Sequence, residues 1–339
     1  MNATRKGLDG FVVATMALLC AIWGAQQVAI KLAAHDVAPI LQVGLRSGMS
    51  AALVLLLTGA RRERLWTRDG TLGPGLLAGV LFAAEFLFVA EGLRRTSASH
   101  MAVLLYTSPI FTAVGLHFTV RTERLRPVQW LGILLAFSGI AAAFGGGWAG
   151  GAAAPRALLG DAFGLLAGAS WGATTVVVRR SALSEAPPAK TLLYQLTVAC
   201  ALLLGAAVAT GQSGQLTLTR VAWASLLFQG VVVSFASYLA WFWLLRRYAA
   251  SQVSVFSFLT PLFGVTFGVL VLGERVDPAF GIGAVLVLAG ITAVSAPGLL
   301  GGPARAGRGP APSSLGVRCG SSCGRPPAAR SGSPGARSR

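Results

Sequence analysis

The chain has 339 residues, of which 54% are hydrophobic and 12% charged, and its mean hydropathy is +0.68. A soluble domain carries about 25% charged residues, so this composition excludes a soluble globule and predicts a polytopic membrane protein. The net charge of +17 does not indicate nucleic-acid binding, because the basic residues stand in short clusters between apolar runs and in a C-terminal tail.

Ten apolar spans are predicted, each within the range of about 17–25 residues that a transmembrane helix needs. A polar lead at 1–10 precedes them, and a glycine-rich outer linker at 145–158 divides them into two halves, 11–144 and 159–297. The tail at 298–339 has seven arginines and no acidic residue, and its Gly, Pro and Ser content predicts disorder. In chain order the spans are 11–30, 37–59, 70–93, 98–119, 127–144, 159–178, 190–210, 221–245, 252–272 and 279–297.

The chain contains an internal repeat, in which most of the pattern of Leu93–Ala142 returns at Leu245–Ala293. Each copy opens on Leu-Arg-Arg, places a proline within an apolar helix, turns at a Glu-Arg pair and ends in a helix with spaced glycines. The prolines, Pro109 and Pro261, are 152 residues apart. A repeat of this length predicts two homologous halves of five helices each.

The distribution of positive charge predicts the orientation. With the N-terminus inside, 21 of the 28 Lys and Arg residues fall on the cytoplasmic side and six on the outer side, which is the bias expected of a membrane protein. Both termini are therefore predicted to be cytoplasmic, in a multi-pass protein of the cytoplasmic (inner) membrane. Since each half has an odd number of helices, the second half is inverted relative to the first, and inverted repeats are typical of secondary transporters.

Motifs of other functional classes are absent or misplaced. The segment Gly168–Gly172 (GASWG) fits the Gly-x-Ser-x-Gly nucleophile pattern but lies within a predicted helix, so an intramembrane hydrolase is a remote alternative. The sequence has no phosphate-binding loop for ATP, and its four cysteines lack the spacing of a disulfide framework or a metal site. We expect no enzyme activity, cofactor or metal, and a channel or receptor stays the alternative to a carrier.

The ordered set of motifs resembles the EamA family of the drug/metabolite transporter superfamily over residues 11–297. The resemblance is carried by Trp-Gly pairs at Trp23 and Trp171, the Thr-Ser-Ala-Ser run from Thr96, both prolines and both Glu-Arg turns. The segment Leu104–Pro109 is similar to the family's fourth helix. The resemblance implies ten helices in an inverted five-plus-five repeat, and export or exchange of small molecules such as amino acids, sugars, nucleosides or toxic compounds across the lipid bilayer.

Two ionisable residues are predicted at matching depth in neighbouring spans, Arg46 roughly 14 Å and Glu85 roughly 12 Å below the outer helix ends. Such charges cost about 2.5–3.5 kcal/mol each, and pairing would offset much of that. Two interpretations stay open, a cavity that binds a substrate carboxylate or couples transport to a proton, and a structural ion pair. Their counterparts, Tyr194 and Ser237, are uncharged, so the centre is chemically asymmetric, as a site for an asymmetric substrate would be.

Further candidate substrate contacts are aromatic or small polar residues near mid-helix: Trp23, Trp171, Tyr106, Ser108, Tyr194 and Ser237. The residues Pro109 and Pro261 are predicted helix interruptions, and paired interruptions point toward a transporter's binding site. Kinks that only shape packing are an equal alternative.

A glycine stripe recurs every four residues along the sixth span and predicts the close approach of another helix: Gly160, Gly164, Gly168 and Gly172. The whole pattern predicts an alternating-access secondary transporter that exports or exchanges an amino-acid-like or drug-like solute. Proton coupling through Glu85 is an open option.

Overall fold

The computed structural model describes residues 10–62, 65, 69–119, 125, 127–148, 154–247, 256 and 259–300, which are helical apart from turns and one isolated bridge between Val37 and Leu216. A π-helical segment, Phe228–Ser237, joins α9 to α10. The α-helices are α1 Gly10–Leu32, α2 Pro39–Ala60, α3 Leu72–Leu93, α4 Ala98–Leu105, α5 Ser108–Thr119, α6 Pro127–Trp148, α7 Ala154–Arg180, α8 Pro188–Ala209, α9 Arg220–Leu227, α10 Tyr238–Arg247, α11 Leu259–Leu272 and α12 Pro278–Leu300.

Seven helical segments within the described residues are long and apolar enough to cross a membrane. They are α1, α2, α3, α4 with α5, α7, α8, and α9 with the whole π-helical segment and the start of α10. The prediction of an all-helical, multi-pass membrane protein is confirmed. Three of the ten predicted spans coincide with shorter apolar helices, at 127–142, 259–272 and 278–290.

Helices extend into the predicted linker from both sides, and the last helix extends beyond its predicted end. The helix α6 runs through Trp148 and α7 begins at Ala154, so both ends of the predicted linker at 145–158 are helical. The last helix extends to Leu300 rather than ending at residue 297. Residues 1–9 and 301–339, on which the predictions of a polar lead and a disordered tail fall, lie outside the described residues.

The fourth predicted span is two helices rather than one kinked helix. The chain leaves α4 after Leu105, turns through Tyr106 and Thr107, and enters α5 with Pro109 as its second residue. A proline is tolerated in the first turn of a helix, where its missing N–H would have no intrahelical acceptor. Likewise, Pro261 is the third residue of α11, so both prolines lie at helix beginnings.

The eighth predicted span contains ten residues of π-helix, which the apolar pattern did not predict. Its buried polar residues are Gln229, Ser234 and Ser237. The Ser50 hydroxyl of α2 donates to the carbonyl oxygen of Gly230 at 2.9 Å. Short π-helical turns are found often at functional sites, and this segment packs against α2, the helix that carries Arg46.

The last helices of the two halves, α6 and α12, cross at glycines. A Cβ on Gly139 would lie 2.6 Å from the carbonyl oxygen of Gly283, and a Cβ on Gly290 would lie 2.5 Å from that of Gly132. No side chain fits at either point. Because Gly132 and Gly139 are the repeat counterparts of Gly283 and Gly290, the same contact occurs twice with the halves exchanged.

A second duplicated contact involves the two Trp-Gly pairs. A Cβ on Gly172 would lie 2.7 Å from the Cβ of Phe111, and a Cβ on Gly24 would lie 2.8 Å from the Cβ of Phe263. The two phenylalanines are 152 residues apart, as the prolines are. The first helix of each half therefore packs against the fourth helix of the other half through the same pair of positions.

Candidate functional site

The side chain of Arg46 lies in the interior of α2 with 1% of its surface exposed. Its guanidinium stands over the ring of Phe86, with the Cζ atom 3.9 Å from the ring centroid, a geometry that attracts a cation to an aromatic face. The nitrogens Nε and Nη1 have no hydrogen-bond partner. Such N–H groups buried without an acceptor are rare in folded proteins, so they are available to a ligand.

The side chain of Glu85, in α3, is 5% exposed, and its Oε2 atom has no hydrogen-bond partner. It lies close enough to Arg46 for the two charges to act on each other. Within the described residues, however, the two form neither a hydrogen bond nor an ion pair within 4.0 Å. The structural ion pair, one of the two interpretations left open by their matching depth, is therefore not formed among the described residues, because the guanidinium faces Phe86 instead.

Two tyrosines lie near the buried charges, and a threonine lies beside one of these tyrosines. The side chains of Tyr106 and Tyr238 are close enough to Glu85 to interact electrostatically with its carboxylate, and Tyr106 lies beside Thr260. The hydroxyl of Thr260 is 1% exposed and has no partner. The indole of Trp171 meets the Tyr106 ring edge-on, with centroids 5.2 Å apart. We call the residues Arg46, Glu85, Phe86, Tyr106, Tyr238 and Thr260 the central polar cluster.

The other predicted tryptophan, Trp23, joins the first half to the π-helical segment. Its Nε1–H donates to the hydroxyl of Ser237 at 2.8 Å, and its ring contacts Trp241 edge-on at 5.7 Å. The predicted residues Trp23 and Ser237 therefore lie together. The hydroxyl of Ser237 in turn donates to the carbonyl oxygen of Val233 at 2.5 Å, so both polar groups of this pair have partners within the protein.

One predicted contact, Tyr194, lies apart from the central polar cluster. It packs against Gly75 of α3, where a Cβ would stand 2.7 Å from the tyrosine Cγ, and its hydroxyl is 3.3 Å from that of Thr71. These contacts put it near the beginnings of α3 and α8. In contrast, Ser108 is buried at the start of α5, and its carbonyl oxygen would lie 3.1 Å from a Cβ on Gly172.

The predicted glycine stripe of α7 lies against α4 and α5 along its length, and an added Cβ would crowd a neighbour at every position. The distances to the nearest atoms are 2.8 Å from Gly160 to Thr96 Cβ, 2.9 Å from Gly164 to Leu104 Cβ, 2.7 Å from Gly168 to Thr107 Oγ1, and 2.7 Å from Gly172 to Phe111 Cβ. The broken fourth span is thus held at backbone contact with α7.

Sequence reasoning missed three members of the central polar cluster: Phe86, Tyr238 and Thr260. A signal existed for Thr260, because it precedes Pro261 as Ser108 precedes Pro109, 152 residues earlier. The other two carry no such sign, since aromatic residues are common in apolar helices. Within the described residues, no group of His, Cys, Asp and Glu side chains could hold a metal ion.

Comparison with known proteins places this helical bundle in a family. The sequence profile of the EamA-like transporter family matches residues 10–145 and again residues 158–296. The chain belongs to the EamA-like transporter family. The two matches coincide with the two predicted halves, so each half of this EamA-like protein carries the family's sequence pattern.

The chain aligns with relatives that have curated descriptions over most of the length of both proteins. An uncharacterized transporter of Bacillus subtilis (strain 168), YoaV, is 27% identical over 271 residues, which is 80% of this chain and 91% of the relative. A protein of Escherichia coli (strain K12) described as a probable amino-acid metabolite efflux pump is 26% identical over 283 residues, 81% of this chain and 91% of the relative.

One solved crystal structure shares the fold with a TM-score of 0.59 at 18% sequence identity, covering 84% of this chain and 97% of that chain. The EamA-like protein therefore shares its helical fold with that structure.

Proposed function

We propose that this EamA-like protein is a secondary transporter that exports or exchanges an amino-acid-like metabolite by alternating access. The observation that carries the proposal is the pair of buried, unpartnered polar groups at Arg46 and Glu85. A fold gains little from burying two charges that are neither hydrogen-bonded nor paired. A transporter gains a binding site, because a solute with an acidic and a basic end satisfies both.

The central polar cluster provides complementary groups for such a solute. The free N–H groups of Arg46 match a carboxylate, which guanidinium binds with directed hydrogen bonds. The free Oε2 of Glu85 matches an ammonium group or a proton. The rings of Phe86, Tyr106 and Trp171 form apolar walls nearby. The relatives described as probable amino-acid metabolite efflux pumps favour the same class of solute and the export direction.

Alternating access is supported by duplication in both sequence and packing. The contacts of Gly172 with Phe111 and of Gly24 with Phe263 repeat with the halves exchanged, as an inverted five-plus-five repeat requires. In such repeats the solute site lies between the halves, at interrupted helices. The break before Pro109 lies beside Tyr106, and Thr260 precedes Pro261 in the first turn of α11. We place both termini on the cytoplasmic side, from the positive-charge distribution.

Counterflow in proteoliposomes tests the proposal. Vesicles are loaded with the twenty protein amino acids, and the same mixture with an isotopic label is added outside. We expect saturable entry of a subset of the labelled amino acids, accelerated by the internal load and read out by mass spectrometry. Entry that neither saturates nor responds to the load indicates a channel, and no entry of any amino acid contradicts the solute class.

A variant pair connects the flux to the site. In Arg46→Met the carboxylate partner is lost, and we expect at least a tenfold fall in counterflow, the loss of about 1.4 kcal/mol of binding. The matched control is Arg62→Met, which removes an exposed arginine that follows α2 and should leave counterflow unchanged. Equal rates in both variants would contradict the assignment of the site.

A further inference from the structure

A cluster of polar contacts outside the central site joins the two halves at one end of the bundle. The carboxylate of Glu274, in the turn between α11 and α12, accepts from the backbone N–H of Ala98 at 2.7 Å and from that of Ser99 at 3.0 Å. It also accepts from the Ser99 hydroxyl at 2.7 Å and pairs with the Lys31 ammonium at 3.0 Å. The Lys31 ammonium donates in addition to the carbonyl oxygen of Thr96 at 2.8 Å.

These contacts fill the N-terminus of α4, which is a favourable place for an anion because its first N–H groups have no partners in the helix. Burial alone would raise the pKa of the Glu274 carboxyl, but the N–H groups of Ala98 and Ser99, the Ser99 hydroxyl and the Lys31 ammonium together hold that pKa below its ordinary value. The carboxylate is thus charged at neutral pH and firmly bound.

The cluster crosses the boundary between the halves. Its donors, Lys31, Ala98 and Ser99, belong to the first half, whereas Glu274 belongs to the second. Two halves that move relative to each other cannot keep these contacts in every conformation. An interaction that is broken in one state and formed in the other biases the equilibrium between them.

The repeat supplies a counterpart of this pair. The position 148 residues after Lys31 is Arg179, at the end of α7, and the residue 151 before Glu274 is Glu123, in the Glu-Arg turn of the first half. Glu123 lies outside the described residues. In an inverted repeat, counterparts lie on opposite faces of the membrane. One basic and one acidic residue are therefore assigned to each face.

We propose that Lys31, Glu274 and the N-terminus of α4 form a releasable latch, which closes one face of the transporter and opens in each cycle. The positive-charge distribution makes this the outer face. The proposal rests on the alternating-access function above and adds the element that switches between its states. The latch ties the fourth helix of the bundle to the other half.

Reversible cross-linking tests the latch. In full-length protein with Cys20, Cys200, Cys319 and Cys323 replaced by alanine, Lys31→Cys and Glu274→Cys are joined by a short bis-methanethiosulfonate reagent and released by dithiothreitol. We expect cross-linking to lower counterflow of the amino-acid mixture at least tenfold, and reduction to restore it. Counterflow that continues at the unlinked rate overturns the latch.

The matched control joins two positions within the first half. Lys31→Cys with Thr96→Cys spans the contact of the Lys31 ammonium with the Thr96 carbonyl, so its cross-link does not tie the halves together. We expect counterflow of this protein to be the same before and after the reagent. An equal loss in both cross-linked proteins would mean that rigidity near α4, and not a bond between the halves, stops transport, and this would overturn the proposal.

A second readout needs no transported solute. A single cysteine at Thr107, a buried residue between α4 and α5, is labelled from outside by a membrane-impermeant, charged methanethiosulfonate. We expect Glu274→Gln to raise the labelling rate at least threefold, because the carboxylate that holds the latch is gone, and the rate in Arg275→Gln to equal that of the parent. An unchanged labelling rate in Glu274→Gln overturns the latch, and this holds whether or not the parent protein shows counterflow. A failure of counterflow in the parent contradicts the proposed function and not the latch.

Discussion

Replacing Glu85 by glutamine separates a binding role from a structural one. Glutamine has nearly the same shape as glutamate but lacks its charge. The charged groups of Glu85 and Arg46 are farther apart than the 4.0 Å limit of an ion pair. At an effective dielectric constant of about 20, the substitution therefore removes an attraction of less than about 4 kcal/mol. It also removes the desolvation cost of the buried carboxylate, on the order of several kcal/mol, which opposes this loss. The net change in the free energy of unfolding is expected to stay within about 2 kcal/mol.

The effect on transport is expected to be larger than the effect on stability. A hydrogen bond from a charged group of the solute to Glu85 contributes about 1.5–3 kcal/mol. Its loss corresponds to a rise of about 10- to 150-fold in the solute concentration for half-maximal counterflow. The assay is amino-acid counterflow in proteoliposomes, with thermal unfolding of the same variant in detergent as the measure of stability.

Two results would refute this reasoning. A fall in the unfolding temperature of more than about 10 °C, with loss of folded protein, would identify the residues as a structural pair, because a change of 1 kcal/mol shifts the midpoint by only about 2–4 °C in a domain of 150–250 residues. Counterflow at the wild-type rate would remove Glu85 from the site. A pH series adds a test of coupling: the same pH profile in wild type and Glu85→Gln would show that this carboxyl does not carry the coupled proton.

Three further predictions follow from specific contacts. Gly172→Ala should lower the free energy of unfolding by about 1–3 kcal/mol through overpacking, whereas Gly205→Ala, with open space around it, should not, as thermal unfolding will measure. Trp23→Phe removes the hydrogen-bond donor to Ser237 and should lower the free energy of unfolding by about 1 kcal/mol. An unchanged thermal unfolding midpoint contradicts this. Because the pKa of Glu274 is lowered in the folded state, its charged carboxylate stabilises the fold, and this contribution should be constant from about pH 5 to 8. It should disappear as the pH falls below the ordinary glutamate pKa of about 4.3 and through the lowered folded-state pKa. The difference in thermal unfolding between wild type and Glu274→Gln, followed across this pH range, measures the contribution.

The positions of the helices could be predicted from the sequence because membrane insertion is governed by local hydropathy. Among the described residues, the predicted spans fall on helical segments, and the glycines of the Trp-Gly pairs and of the last helices make the same contacts in both halves. A repeated sequence pattern predicts repeated packing, because each pattern of small residues permits the close contact of two helices at one point.

The π-helical segment was not predicted, although the repeat contained a sign of it. The offset between the halves is 148 at Arg46 and Tyr194 and 152 at the prolines. The second half therefore gains residues between these points, and Phe228–Ser237 lies within that stretch. Because π-helical turns contain more residues than α-helical turns, a change of the repeat offset within an apolar span can indicate a π-helical segment.

The absence of a direct ion pair between Arg46 and Glu85 in the described structure was beyond sequence reasoning, because helical rise predicts depth but not rotation about the helix axis. The stacking of the guanidinium on Phe86 depends on that rotation. The place of Tyr194 has a simpler cause. In the inverted repeat proposed here, depth would be reversed between the halves, so the counterpart of a residue near one face would lie near the other.

The inverted duplication is the central claim, and accessibility of two counterpart positions tests it most directly. Arg62 and Thr210 are exposed, 148 residues apart, and follow the second helix of their respective halves. Each is replaced by a single cysteine in otherwise cysteine-free protein and labelled with an impermeant maleimide in right-side-out and inside-out vesicles. We expect Arg62→Cys to react only from the cytoplasmic side and Thr210→Cys only from the outer side. Labelling of both from the same side would contradict the account.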